Sequence, residues 1–162
     1  MLYKHSKILG VYDKLADVPF GLSIMSFAIC LRSPYFFSIR PKIISLERGR
    51  MKAFICQRRG VQNHIGSIHA LALGNLVEFV AGVMMEASIP RTGVRWIPKG
   101  ISMEYHKVAK GQVMAEAVIE IPESWEGKFD IVVKVTLTDT ANHRVVSASV
   151  PMYISPTNSA KP

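Results

Sequence analysis

A chain of 162 residues has room for one domain with a substantial core and little room for a second. With 49% of its residues apolar and 20% charged, burial offsets the cost of ordering the backbone, which excludes a largely disordered chain. Lys and Arg total 20 against 12 acids, a formal net charge of +8, which directs attention to polyanionic partners: nucleic acid, anionic lipid or phosphorylated cofactors.

In residues 3–15 the apolar side chains Ile8, Leu9, Val11, Tyr12 and Leu15 recur at helical spacing. Asp17 and Pro19 break that pattern, and a second helix is expected from Phe20 to about Leu31, ended by Ser33-Pro34. The pair reads as an N-terminal helical extension, residues 1–33, packed on the main body. Its apolar stretch, residues 21–31, is too short to span a bilayer, which takes roughly 20 residues. The stretch also lies late and is followed by no small-x-small cleavage site, so a signal peptide is not expected.

From Lys42 the pattern shortens to strands. KIISLE, a turn at Gly49 and RMKAFICQ, with Met51, Ala53 and Ile55 on one face and Lys52, Phe54 and Cys56 on the other, predict a hairpin. The polar loop VQNHIGS then leads into a long apolar helix starting near Ser67 or Ile68 and ending by residue 89. That segment is long enough to cross a membrane. However, His69, Asn75, Glu78 and Glu86 count against a span, because an acid at a helix centre in lipid costs about 2.5–3.5 kcal/mol. It reads instead as a helix buried on all sides by protein. Pro90, Gly93 and Pro98 punctuate its exit.

Four strands follow: VRWIPKGISMEYHKVAKG, in which Ile101, Met103 and Tyr105 alternate with Ser102, Glu104 and His106; QVMAEAVIEI after a turn at Lys110-Gly111; KFDIVVKVTLTD; and HRVVSASVPMYIS after the polar turn Thr140-Ala141-Asn142. Short turns between successive strands predict an antiparallel meander, and the class is α+β. Residues 34–155 form the main domain and residues 156–162 a flexible tail. Cys30 and Cys56 lie in apolar runs without metal-ligand spacing, so both are expected as buried free thiols, in keeping with a reducing cytoplasm. His64, His106 and His143 have no second ligand at useful spacing, and no metal is expected.

One segment carries chemistry. The loop Asn63-His64-Ile65-Gly66-Ser67 feeds the start of the buried helix, where unpaired N–H groups and the positive dipole end can hold an oxyanion. Glu78 lies two to three turns further, among Val77, Phe79 and Val80, where a carboxylate is costly unless it is paired or opens onto a cleft. Asn63 alone reads as a turn or cap residue, His69 as a hydrogen-bonded structural histidine, and Glu78 also as a buried salt-bridge partner.

Asn63, Gly66, His69 and Glu78 together resemble the hotdog-fold thioesterases, in particular the phenylacetate-pathway and human-type acyl-CoA thioesterase branch. That branch has an Asn, a Gly three residues on, a His three further, and an acid fifteen after the Asn. The likeness extends more loosely over residues 34–155, and is nearest to a subgroup known as a hotdog domain of unknown function. It implies a curved antiparallel sheet wrapped around one central helix, and a homodimer, or a tetramer, with each site combining the Asn63 loop of one chain and the Glu78 helix of the other. It implies hydrolysis of an acyl-CoA or related thioester with no cofactor beyond the coenzyme A of the substrate. Glu78 would then be general base or nucleophile, the Ala70 N–H the oxyanion donor, Asn63 the group orienting water or carbonyl, and His69, with Gly66, the brace of the loop. Ala70-Leu71 replaces the family's two glycines and narrows the acyl space, which leaves a non-catalytic acyl-CoA or lipid-binding module as the alternative.

Arg91, Arg95, Lys99 and Lys107, with Lys110 and the preceding Arg58 and Arg59, read either as a solvated surface or as a rim for coenzyme A phosphates. Only Trp96 accompanies them, so nucleic acid is not expected.

Overall fold

The computed structural model describes residues 6–157. Ser6 opens helix α1 (Lys7–Leu15), its Oγ accepting the Leu9 N–H at 3.3 Å; the residues before it in the expected helix lie outside the described range. Helix α2 (Gly21–Arg32) begins where the chain doubles back on α1. A Cβ on Gly21 would lie 1.9 Å from the Leu15 carbonyl oxygen, so only glycine fits there. The buried face of α2, Met25, Ser26 and Cys30, packs toward β1 (Lys42–Glu47). Ser26 Oγ accepts the Ile43 N–H at 3.0 Å while donating to the Leu22 carbonyl, which stitches the extension to the sheet. A 3₁₀ turn, Pro34–Ser38, follows, and its Phe36 meets Phe79 edge-on at 5.2 Å between ring centroids.

Strand β1 pairs with β2 (Arg50–Cys56) in the expected hairpin, and helix α3 (Ala70–Ser88) then crosses the sheet. The remaining strands are β3 (Val94–Pro98), β4 (Ser102–Tyr105), β5 (Gln112–Val118), β6 (Phe129–Thr138) and β7 (Arg144–Pro156). All pairings are antiparallel, in the order β1-β2-β5-β6-β7-β3, with β4 also on β7. Period-two alternation puts Met51, Ala53 and Ile55 of β2, and Val113, Ala115 and Ala117 of β5, on the helix side. Ala53 faces Ala115 across the ladder, and these small residues let α3 lie close. Leu76, Val77, Phe79, Val80, Met84 and Met85 fill the space above them, each fully buried and contributing about 1.5–3 kcal/mol by leaving water. At the far end Ser88 Oγ accepts the Gly49 N–H at 2.9 Å, fixing α3 to the hairpin turn. By length and composition α3 could cross a membrane, but here it is the core helix.

The segment expected as one strand before β5 is two strands, and neither forms a hairpin with β5. Both β3 and β4 lie along β7, which at 13 residues is long enough to carry them end to end. The link after β4 is taken up elsewhere: His106 N–H donates to Val145, Ile68 N–H to Ala109, and Gln57 N–H to Gly111. It returns the chain past the start of α3 to β2. Strand β7 continues through Pro156, and Thr157 N–H donates to Gly93 at 3.0 Å; residues 158–162 of the expected tail lie outside the described range. Cys56, expected buried, is exposed at the end of β2, whereas Cys30 is buried, which pushes its thiol pKa up.

Candidate functional site

Asn63 folds the loop before α3 back on itself. Its Oδ1 accepts the N–H groups of Ile65 at 3.1 Å and Ser67 at 3.0 Å, and its Nδ2 donates to Ser67 Oγ at 2.7 Å. Gly66 takes a φ of +73°, which admits glycine and strains other residues. Its carbonyl accepts from Gln57 Nε2 at 2.8 Å, and Gln57 Oε1 accepts the Gly111 N–H at 2.7 Å. The loop, the end of β2 and the link into β5 are thus one hydrogen-bonded unit.

His69 caps α3. Its Nδ1 accepts the Leu71 N–H at 3.0 Å, so the neutral ring carries its proton on Nε2, and its carbonyl accepts from Ala72 and Leu73. The Ala70 N–H, at the positive end of the helix, has no hydrogen-bond partner among the described residues. Beside it opens a cleft of about 240 Å³ between the 3₁₀ turn Pro34–Ser38, a second 3₁₀ turn at Arg59–Val61 and the first turns of α3. Tyr35, Ser38, Gln62, His69 and Asn75 give it a polar wall, and Leu71, 73% exposed, stands at its rim. Asn75 is only 6% exposed: its Nδ2 donates to Ser38 Oγ at 2.9 Å, while its Oδ1 is buried without a partner among the described residues. Sequence reasoning missed Tyr35, Ser38 and Asn75 as cleft residues. The available signal was an amide on the inward face of an apolar helix, six positions after His69.

Glu78, expected to be buried, is exposed. The sheet leaves one lane of α3 open, formed by Leu71, Gly74, Glu78, Gly82 and Glu86 at helical spacing. Met103 of β4 and Trp96 of β3 overhang the two glycines: a Cβ on Gly74 would lie 3.4 Å from the Met103 sulfur, and one on Gly82 would lie 3.2 Å from the Trp96 ring. Trp96 Nε1 donates to Glu86 at 3.2 Å. Between these contacts Glu78 makes no hydrogen bond or ion pair among the described residues. It lies about 12 Å along the axis from Ala70, so a single chain does not bring the Asn63 loop and the carboxylate together.

The four basic residues expected as one rim are dispersed. Arg91 and Arg95 follow the C-terminal end of α3 and line a cleft of about 410 Å³ with Lys7, Glu86 and Trp96; Arg95 Nε also donates to Ser155 Oγ at 3.0 Å. Lys99 pairs with Asp130 at 2.6 Å. Lys107 lies in the link that passes the opposite end of α3, and pairs with Asp139 at 3.0 Å beside His143. The separation follows from the helix itself, which at 19 residues is about 28 Å long. The His143 backbone N–H and the Lys107 ammonium hold the Asp139 carboxyl well below the usual carboxylate range.

The chain is similar to several known structures. The solved protein "genomics APC5556" is 35% identical, with a TM-score of 0.79 over 93% of this chain and 99% of that one. PA5026 from Pseudomonas aeruginosa, described as a protein of unknown function and probable thioesterase, is 21% identical with a TM-score of 0.75, over 86% and 97%. The protein smu.793 from Streptococcus mutans UA159, solved bound to acetyl-CoA, is 20% identical with a TM-score of 0.60, over 71% and 88%. No curated protein sequence matches. The common architecture is the hotdog fold. The model of the family described as Domain of unknown function (DUF4442) matches residues 21–154, and the chain belongs to that family.

Proposed function

We propose that the protein hydrolyses an acyl-CoA or related thioester at a site completed by two copies of the chain. The observation that carries this reading is Glu78: a carboxylate without a partner among the described residues, in the open lane of an otherwise apolar core helix, beside the free sheet edge formed by β3 and β4. Edge pairing with a second copy would cover the lane and bring an Asn63 loop to each Glu78. There the carboxylate takes a proton from water, and the hydroxide adds to the thioester carbonyl carbon. The Ala70 N–H donates to the resulting oxyanion, which collapses with loss of the thiolate, and the thiolate recovers the proton from Glu78. Asn63 and Gly66 act by holding the loop, since both side-chain heteroatoms of Asn63 are engaged within it, and His69 fixes the helix start. Arg91 and Arg95 are the basic residues placed to meet coenzyme A phosphates, because they share a cleft, whereas Lys99 and Lys107 are held by carboxylates. Acetyl-CoA bound to the similarly folded smu.793 supports a thioester ligand.

The test is release of free thiol from a panel of acyl-CoAs. Glu78→Gln is expected to lower turnover by about 10²–10⁴-fold, the range of general-base catalysis, at unchanged thermal stability. Turnover that survives the change removes Glu78 from the mechanism. A second reading, an acyl-CoA or lipid-binding module without turnover, is favoured by Leu71 at the cleft rim, where the thioesterase branch that the sequence resembles has glycine. It predicts saturable acyl-CoA binding and no thiol release.

A further inference from the structure

The outer face of α2 carries an apolar stripe that the other described residues leave exposed. Phe20, Ile24, Phe27 and Leu31 follow one another at intervals of four, three and four residues, and Tyr35 continues the line. Phe20 is 83% and Tyr35 72% exposed, and the three between them are each more than half exposed. The opposite face of α2 is fixed to β1 through Ser26, so rotation cannot bury the stripe. Phe20 sits in the left-handed region at φ +61°, a conformation that costs a non-glycine residue energy and here accompanies an aromatic ring held in solvent. Solvent exposure of so many large apolar groups in one lane is unusual unless something else covers them.

We propose that this stripe docks the protein on an anionic bilayer surface. Charge selects that occupant. From Phe20 to Lys42 the sequence contains no acid and three cations, Arg32, Arg40 and Lys42, none of them in an ion pair among the described residues. Lys42 lies over the Phe54 ring at 5.9 Å, and an apolar helix face followed by cations that no described carboxylate neutralises fits acyl chains below and anionic headgroups beside them. Position agrees: α2 lies on β1 at one end of the strand order and the free edge of β3 and β4 is at the other, so a copy paired at that edge leaves the stripe open. Tyr35 belongs to both the stripe and the cleft beside His69, so the docked chain holds that cleft at the lipid surface. The docking is independent of the thioester reading and is measured without turnover.

The full chain is sedimented with vesicles of phosphatidylcholine containing phosphatidylglycerol, and with vesicles of phosphatidylcholine alone. Binding is expected to the first, weakened by added salt and by omission of the anionic lipid. Ile24→Ser with Phe27→Ser should weaken partitioning by about tenfold or more. Arg32→Glu with Arg40→Glu, which leaves the apolar stripe intact, should reduce binding to anionic vesicles to the phosphatidylcholine level. All four side chains are exposed, so the melting temperature should hold in the arginine variant, while the serine variant loses only the edge-on contact of Phe27 with Phe37, at 5.5 Å between ring centroids. The proposal is overturned if the chain stays in the supernatant with both vesicle types, or if the serine variant binds as well as the parent. It is also overturned if the serine variant loses mass in light scattering without any change in vesicle binding, which would assign the stripe to a second copy.

Discussion

At the residue scale, the site loop is built from atoms that have little left to offer a substrate. Asn63 holds its own loop, His69 gives Nδ1 to Leu71, and Gly66 supplies a backbone angle. Their spacing in the sequence revealed the loop because local hydrogen bonds span only two to four residues. The bond between Ser38 and Asn75 joins positions 37 apart and left no such trace. Only the burial expected of Glu78 from its apolar neighbours fails; the glycines four residues before and after it are the sign of an open lane. Asp139 gives a pH prediction. Its carboxyl is held below its ordinary value of 3.8, so the folded state gains from the charged form above about pH 4 and loses that gain as pH falls toward the lowered value. Asp139→Asn should therefore melt at a lower temperature than the parent at pH 7. Melting curves taken at successive pH values should show the gap narrowing below pH 4; a gap independent of pH would remove the ion-pair explanation.

At the element scale, helices and the first hairpin were legible because each is set by local periodicity and punctuation. The division of β3 from β4 was not, since alternation runs on through the interruption and only the length of β7 reveals two partners. The meeting of α1 and α2 shows how one residue sets a helix pair. Gly21→Ala should destabilise the protein by about 1–3 kcal/mol, the range for overpacking, because its Cβ meets backbone that cannot swing aside. Denaturant unfolding measures this; a neutral result would mean that α1 leaves α2 without loss to the core.

At the scale of the whole molecule, the proposed pairing of two copies rests on the edge formed by β3 and β4. Ile97 and Ile101 stand exposed along β3 and the break after it, next to the lane holding Glu78. Light scattering should give at least twice the 18.0 kDa chain mass, and Ile97→Lys with Ile101→Lys should return it to one chain while abolishing thiol release. A monomeric parent with full turnover would confine the chemistry to one chain.

The order of the strands also bears on synthesis. Strand β2 meets β5 only through pairs such as Cys56 with Gln112, so on the ribosome the first hairpin waits with an unpaired edge while α3, β3 and β4 emerge. Arg50 and Lys52 lie on that waiting edge, where like charge discourages two nascent hairpins from joining. Glu116 of β5 later settles between both cations, so the arrival of the correct strand neutralises the repulsion that kept others away.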